Sequence, residues 1–424
     1  MDKKVKKIYK GLNGSIKIPA DKSISHRAIM FSSLANGKST IKNFSKGQDP
    51  NSTLKIFKQL GVEFNFIDEQ TLTVVSPGKF NQTDTPLDCG NSGTTMRLVS
   101  GILAGLEIPA VLIGDESLSK RPMKRIIEPL SLMGANIQST DGHAPLIIQK
   151  APLHSINYTS KLASAQVKSC ILLAGLNTDG TTTVTEPSIS RNHTELMLKY
   201  MGANINTNGK TVSITKSTLE PKTIEICGDI SSAAYFIVAA LIVPGSDVIL
   251  QNVGLNPTRT GILEVCRAMG ADIEILNQTI KAGEPVGDIR IKYSSLKACN
   301  ISGETIPKLI DELPVIAVLA TQAQGETRIT DAKDLRNKES DRITVTVNAL
   351  KKLGANIEEL DDGFVIQGKT QLRGGVSLET FHDHRIAMSL FVAGLICPQE
   401  ILIEGFEWAG ISFPEFEELF NSLM

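Results

Sequence analysis

Small polar residues and basic groups recur at the starts of apolar, helix-like runs along this chain. Lys22, Ser23, Ser25 and Arg27 open the first run, and Asn91, Ser92, Gly93, Thr94, Thr95 and Arg97 the second. Ser164 and Gln166 open the third, and His384 and Arg385 the last. Helix N-termini present backbone N–H groups without intrahelical partners and the positive end of the dipole, so they hold phosphates and carboxylates. Several of them aimed at one place would make a strong anion trap. Gly93 lets the backbone approach a ligand closely, having no Cβ in the way. For any one Ser or Thr a helix cap is the plainer explanation. Lys22, Arg27 and Arg385 resist that explanation, because a cation gains nothing at the positive end of a helix.

Three further clusters carry charge. Lys120-Arg121-Pro122-Met123-Lys124-Arg125 gathers four cations around a helix start, a repulsion that a bound phosphate would relieve. Taken alone, a solvated charged turn explains the string equally well. Arg336-Asn337-Lys338-Glu339-Ser340-Asp341-Arg342 alternates in sign, and a helix from near Ser340 would bring Lys338, Glu339 and Arg342 toward one end. Such a string is otherwise a surface ion-pair network. Asp311-Glu312 is a carboxylate pair at a helix start rather than on an exposed face, a position that a cap alone could also explain. Gly37-Lys38-Ser39-Thr40 copies the end of a phosphate-binding P-loop, but Ser32 stands where its first glycine belongs and a helix rather than a strand precedes it. It reads as the turn out of the first unit.

The elements that must position these groups repeat. An apolar helix, a turn and a β-rich stretch return roughly every seventy residues, starting near Ser25, Thr94, Ser164, Ser231, Asp311 and Asp383. The runs 27–35, 97–106, 167–176, 233–242, 313–323 and 385–395 are apolar around most of the helix circumference and should be buried. Second helices over 123–133, 194–201 and 343–353 have one charged face and belong on an outer surface. β-branched stretches at 39–44, 181–186, 247–253 and 327–331 predict strands. An amphipathic segment ending in Gly and a small residue recurs at Gly61-Val62, Gly134-Ala135, Gly202-Ala203, Gly270-Ala271 and Gly354-Ala355, with no sixth copy. The chain instead ends in a helix-like segment, 413–424, and opens on strand-like residues 5–18, so the N-terminal strand is expected to complete the sixth unit. Both chain ends then share one domain, 1–20 plus 227–424, and 21–226 forms an inserted domain, each of three units.

Composition agrees. A chain of 424 residues suits two domains of about two hundred residues each. Lys plus Arg number 44 against 45 Asp plus Glu, which argues against a general nucleic-acid or membrane-surface binder and leaves anion binding to local clusters. The basic N-terminus is followed by an alternating segment with no long apolar core, so no signal peptide is expected, and no run approaches the length of a bilayer span. Cys89, Cys170, Cys227, Cys266, Cys299 and Cys397 are scattered without ligand spacing, so reduced thiols of a cytoplasmic protein without zinc are expected.

Four stretches together resemble the 5-enolpyruvylshikimate-3-phosphate synthases: 21–27, 90–97, 338–342 and 383–388 match that family's signatures in order and spacing, and the likeness covers essentially the whole chain. The segments 121–125, 164–169 and 190–195 are similar to its divergent bacterial class. The resemblance implies an α/β fold of two domains, each of three βαβαββ units, with the active site in the interdomain cleft. It implies transfer of the enolpyruvyl group of phosphoenolpyruvate to the 5-hydroxyl of shikimate 3-phosphate by a monomeric cytoplasmic enzyme that needs no metal or organic cofactor.

By the same resemblance Asp311 would be the base at the hydroxyl, Glu339 would move the proton at the methylene carbon, and Lys22 would sit near both ligands and assist the departing phosphate. Gly93, Arg121, Gln166, Arg342 and Arg385 would hold phosphoenolpyruvate, and Ser23, Arg27, Ser164, Gln166, Arg191 and Lys338 shikimate 3-phosphate. Three positions depart from the better-studied class: Ile411 where it has Lys, Leu98 where it has Pro, and Ala165 where it has a second Ser. A related enzyme type uses a UDP-linked amino sugar as acceptor, but it has a Cys in the loop that here spans 114–122 and Asn after the first Lys, where this chain has no Cys and Ser23. A non-catalytic anion-binding scaffold is the other rival. Asp311 and Glu339 speak against it, because a pure anion trap gains nothing from carboxylates.

Overall fold

Helices that are apolar all round can only be stable inside a domain. Six such helices occupy the interior in a computed structural model that describes residues 1–424: Lys22–Leu34, Gly93–Gly105, Ala165–Gly175, Ile230–Ile242, Leu313–Thr321 and His384–Gly394. Four of them begin two to five residues before their apolar runs, and this places the polar clusters in first turns rather than in preceding loops. Caps explain the early starts. Side chains of Asp21, Ser92, Ser164, Asp229 and Asp383 accept backbone N–H bonds from the first turns of their helices.

Four of the buried helices, those starting at Gly93, Ala165, Leu313 and His384, connect two parallel strands of one sheet. Those starting at Lys22 and Ile230 carry the chain from one sheet to another, and in all but the last unit a β-hairpin then adds antiparallel to the following strand. Gly37–Lys42 lies between Thr223–Glu225 (parallel, Thr223 opposite Thr40) and Leu72–Ser76 (antiparallel). The same order gives five four-stranded sheets, and a sixth has three strands. The chain divides into two compact units: Met1–Pro19 with Cys227–Thr279 and Pro285–Met424, and Ala20–Ile226 with Ile280–Glu284. Three buried helices belong to each. Ala20 and the hairpin tip Ile280–Glu284 thus group with the inserted unit, where Lys281 pairs with Glu225 and Glu284 with His193.

Glycine marks the two places where the repeat needs its special geometry. Gly61, Gly134, Gly202, Gly270 and Gly354, each just past a second helix, all have φ between +88° and +102°, the left-handed turn that lets a helix stop and a strand begin. Gly101 and Gly105 let two buried helices of the inserted unit touch backbone to backbone, since a Cβ there would lie 2.2 Å from the Cys170 carbonyl and 2.7 Å from that of Ala174.

Two expectations change. Residues 5–18 are not one strand: Lys3–Val5 pairs antiparallel with Ile401–Glu404 and completes the sixth unit, whereas Asn13–Lys17 is the parallel edge of the fourth. Gly11 separates them, pressed so closely on Gly245 that no side chain fits. Gly37-Lys38-Ser39-Thr40 is the beginning of strand Gly37–Lys42, not a turn. At the other end Phe406–Ile411 and Phe416–Asn421 are short helices. Phe413, Phe416 and Phe420 enter the helical core against Phe236 and Phe391, with Phe236 and Phe420 stacked at 4.2 Å, so rings close the unit where a sixth hairpin would have done so. No helix is long and apolar enough to cross a membrane.

Candidate active site

In the inserted unit, Lys22 and Ser23 occupy the first turn of their helix, and Lys22 Nζ lies 3.0 Å from Asp49 Oδ2 at the start of the next helix. Arg27 is buried one turn further in. Its guanidinium donates to the Ser23 carbonyl (2.9 Å), Thr194 Oγ1 (2.8 Å) and Ser169 Oγ (3.2 Å), fixing the turn that carries Lys22 and Ser23. Burial pulls the Arg27 pKa down to about 10 against the opposing pull of Glu195. Behind the same turn, His26 Nδ1 meets Thr53 Oγ1 (2.7 Å), which meets Thr95 Oγ1 (2.8 Å), which donates to Ser92 Oγ (2.7 Å). This buried chain locks the helix of Lys22 to that of Gly93. His26 is neutral there, burial holding it down to about 3.

Gly93 is where two guanidinium groups converge. A Cβ on it would stand 2.9 Å from Arg97 Nη1 and 3.6 Å from Arg121 Nη1. Arg97 Nη1 donates to Gln166 Oε1 at 2.6 Å, and Gln166 Nε2 donates to Thr94 Oγ1 at 3.0 Å. Arg121 donates to Asn91 Oδ1 at 2.7 Å, and Asn91 in turn donates to Asp115. The cation string is therefore divided: Arg121 turns to Gly93, while exposed Lys120 pairs with Glu116. Ser164 caps its helix, its Oγ accepting from Val167 N at 3.5 Å, and its own N–H goes to Glu186 Oε1 at 3.0 Å. Half-buried Arg191 directly follows Ser190, whose hydroxyl donates to Glu186 Oε2.

In the unit formed by the chain ends, Asp311 lies in the turn Ile310–Glu312 before the Leu313 helix. Neither it nor Glu312 caps that helix. Asp311 Oδ1 accepts instead from Lys338 Nζ (3.2 Å) and Arg342 Nη1 (3.4 Å), and its carbonyl from Arg385 Nη1 (3.3 Å). Buried Arg342 also donates through Nη2 to Glu339 Oε2 at 2.6 Å, so Asp311 and Glu339, with Asp383, rest against one guanidinium. Glu312 is buried beside them; it accepts from the Ser231 hydroxyl and lies 3.7 Å from Arg259 and 3.9 Å from Arg385. Facing carboxylates hold the charged form of Arg385, raising its pKa although burial opposes.

The signed string 336–342 does both things its pattern allowed. Arg336 joins a surface network with Asp341 and Glu359, whereas Lys338, Glu339 and Arg342 turn to Asp311. Carboxylates able to exchange protons are thus set among cations able to bind phosphate and carboxylate, the equipment of group transfer between anionic substrates. Asp49 and Glu186 were missed as parts of these constellations, because each meets its partner across more than twenty residues of sequence. Arg97 was visible at its helix start, but nothing local tied it to Gln166.

A sequence profile described as EPSP synthase (3-phosphoshikimate 1-carboxyvinyltransferase) matches residues 6–420. The 3-phosphoshikimate 1-carboxyvinyltransferase of Thermodesulfovibrio yellowstonii is 51% identical over 430 residues, covering 100% of both chains. That of Bacillus licheniformis is 50% identical, covering 97% of each. Among solved structures, an EPSP synthase from Acinetobacter baumannii superposes with a TM-score of 0.90 at 43% identity, covering 100% of this chain and 98% of that one. The enolpyruvyl transferase NikO from Streptomyces tendae shares the fold, with a TM-score of 0.80 at 17% identity over 99% of this chain and 96% of its own.

Proposed function

The chain belongs to the EPSP synthase (3-phosphoshikimate 1-carboxyvinyltransferase) family, and from that premise we propose how its residues move the enolpyruvyl group of phosphoenolpyruvate onto shikimate 3-phosphate, releasing phosphate. The carrying observation is the pair of carboxylates, Asp311 and Glu339, on the Arg342 guanidinium. Asp311 takes the proton from the 5-hydroxyl as its oxygen bonds to C2 of phosphoenolpyruvate, and Glu339 delivers a proton to the methylene carbon. The C–O bond to phosphate then breaks, and the proton gained by the methyl group returns to Glu339, restoring the double bond. Lys22 carries the charge that collects on the departing phosphate.

Planar guanidinium groups suit the carboxylate and phosphate of phosphoenolpyruvate, which Arg121, Arg342 and Arg385 bind with the Gly93 backbone and Gln166. Ser23, Arg27, Ser164, Gln166, Arg191 and Lys338 hold shikimate 3-phosphate. Arg27 does so from below, by fixing the Ser23 carbonyl and with it the turn bearing Lys22. Six cysteines that form no disulfide, five of them buried, support a cytoplasmic enzyme. Incubation of purified protein with both substrates should release phosphate, and omission of shikimate 3-phosphate should abolish that release. No release with both present would refute the assignment.

A further inference from the structure

The geometry points to Glu186 as a positioning residue for shikimate 3-phosphate, a single buried carboxylate that spaces the two segments taken above to grip that ligand. The inference rests on that reading of Ser164 and Arg191. Glu186 directly follows the strand Thr181–Thr185 and is anchored through its own N–H to the Lys210 carbonyl. Its Oε1 accepts the Ser164 N–H at 3.0 Å, and its Oε2 accepts the Ser190 hydroxyl at 2.9 Å. Ser164 caps the helix whose first turn carries Gln166, and Ser190 immediately precedes Arg191. One side chain thereby bridges the two loops, beside a longer bond from Lys168 Nζ to the Ser190 carbonyl at 3.4 Å.

Ionisation needs a reason, because a buried carboxylate costs more than an apolar side chain of similar volume unless it is paired and hydrogen-bonded. It would also repel an anion arriving at the helix start that it braces. Lys168 answers both points. Its ammonium lies 2.9 Å from Glu186 and 2.7 Å from Glu195, all three side chains being at least 95% buried. Arg27, on whose charge Glu195 also acts, is a second cation in the same buried cluster. The bracing group is thus neutralised from beneath, and the helix start keeps its attraction for phosphate.

Calorimetric titration of shikimate 3-phosphate into the whole protein, with KM measured for each substrate, tests this. Glu186→Ala should weaken shikimate 3-phosphate about 10- to 100-fold, as loss of charged hydrogen bonds typically does, and raise the KM for phosphoenolpyruvate far less, since of the braced groups only Gln166 serves both ligands. Glu186→Gln, which still accepts from Ser164, should recover part of the loss. If Glu186→Ala does not fold, Ser190→Ala removes only a hydroxyl and should still weaken that one ligand about threefold to tenfold. Folded variants that bind shikimate 3-phosphate like wild type, or that lose both substrates equally, overturn the inference alone. Wild-type protein that does not bind it overturns the ligand assignment and this inference together.

Discussion

Asp383 grips Arg342 in a two-point ion pair, Nε to Oδ2 at 2.8 Å and Nη2 to Oδ1 at 3.2 Å, while the same carboxylate caps the helix of Arg385 through its backbone N–H at 2.9 Å. One fully buried group therefore aims two arginines that are 43 residues apart in the chain (385 − 342). Burial alone would raise the Asp383 pKa, but the Arg342 guanidinium wins and holds it below the usual carboxylate value.

Asp383→Asn should keep the cap, since Asn caps helices well, but lose the charge. Breaking a buried ion pair typically costs about 3–5 kcal/mol, and Asp311 and Glu339 still face this guanidinium, so the urea midpoint should fall by part of that amount and the KM for phosphoenolpyruvate should rise. An unchanged midpoint and KM would show that Arg342 does not depend on this partner.

Asp311→Ala removes the assigned base without removing a cap, because Asp311 caps nothing. Ligand binding should persist while turnover falls about 100- to 10,000-fold, the usual worth of general base catalysis. Calorimetry alongside steady-state rates separates the two effects, and undiminished kcat would remove Asp311 from the mechanism.

Gly93→Ala would set a methyl group 2.9 Å from Arg97 Nη1, so that guanidinium must shift, while Arg121 Nη1 at 3.6 Å would be in ordinary contact with it. Such crowding typically costs about 1–3 kcal/mol, and the KM for phosphoenolpyruvate should rise about tenfold with little change in melting temperature. If the KM held, the Gly93 backbone would not be a ligand contact.

His26 sets a pH dependence of stability. Burial depresses its pKa from 6.5 to about 3, so between those values the unfolded chain binds a proton that the native state refuses. The penalty is absent above pH 6.5, grows as pH falls by up to about 1.4 kcal/mol per pH unit, and levels off below the folded pKa. Unfolding free energies of wild type and His26→Gln at several pH values should diverge in slope across this window. Parallel curves would mean that His26 is protonated in the native protein.

Fold and elements were legible because their causes are local. Six runs apolar all round had to be buried helices, and the recurring Gly after each second helix marks a turn that only a left-handed residue makes cheaply. The polar clusters at the helix starts followed from the same periodicity. What the periodicity left open was which of two plausible uses each polar group serves. Ser92 and Ser164 turned out to be caps as well as candidate ligands, whereas Asp311 caps nothing and faces Lys338 and Arg342. Glu186 with Ser164, Asp383 with Arg342 and Lys22 with Asp49 are set by tertiary structure, since their partners lie 22, 41 and 27 residues apart. Residue type and spacing decide which groups a helix start offers; only the packing of one repeat against the next decides which charge meets which, because that encounter depends on distances the local pattern does not encode.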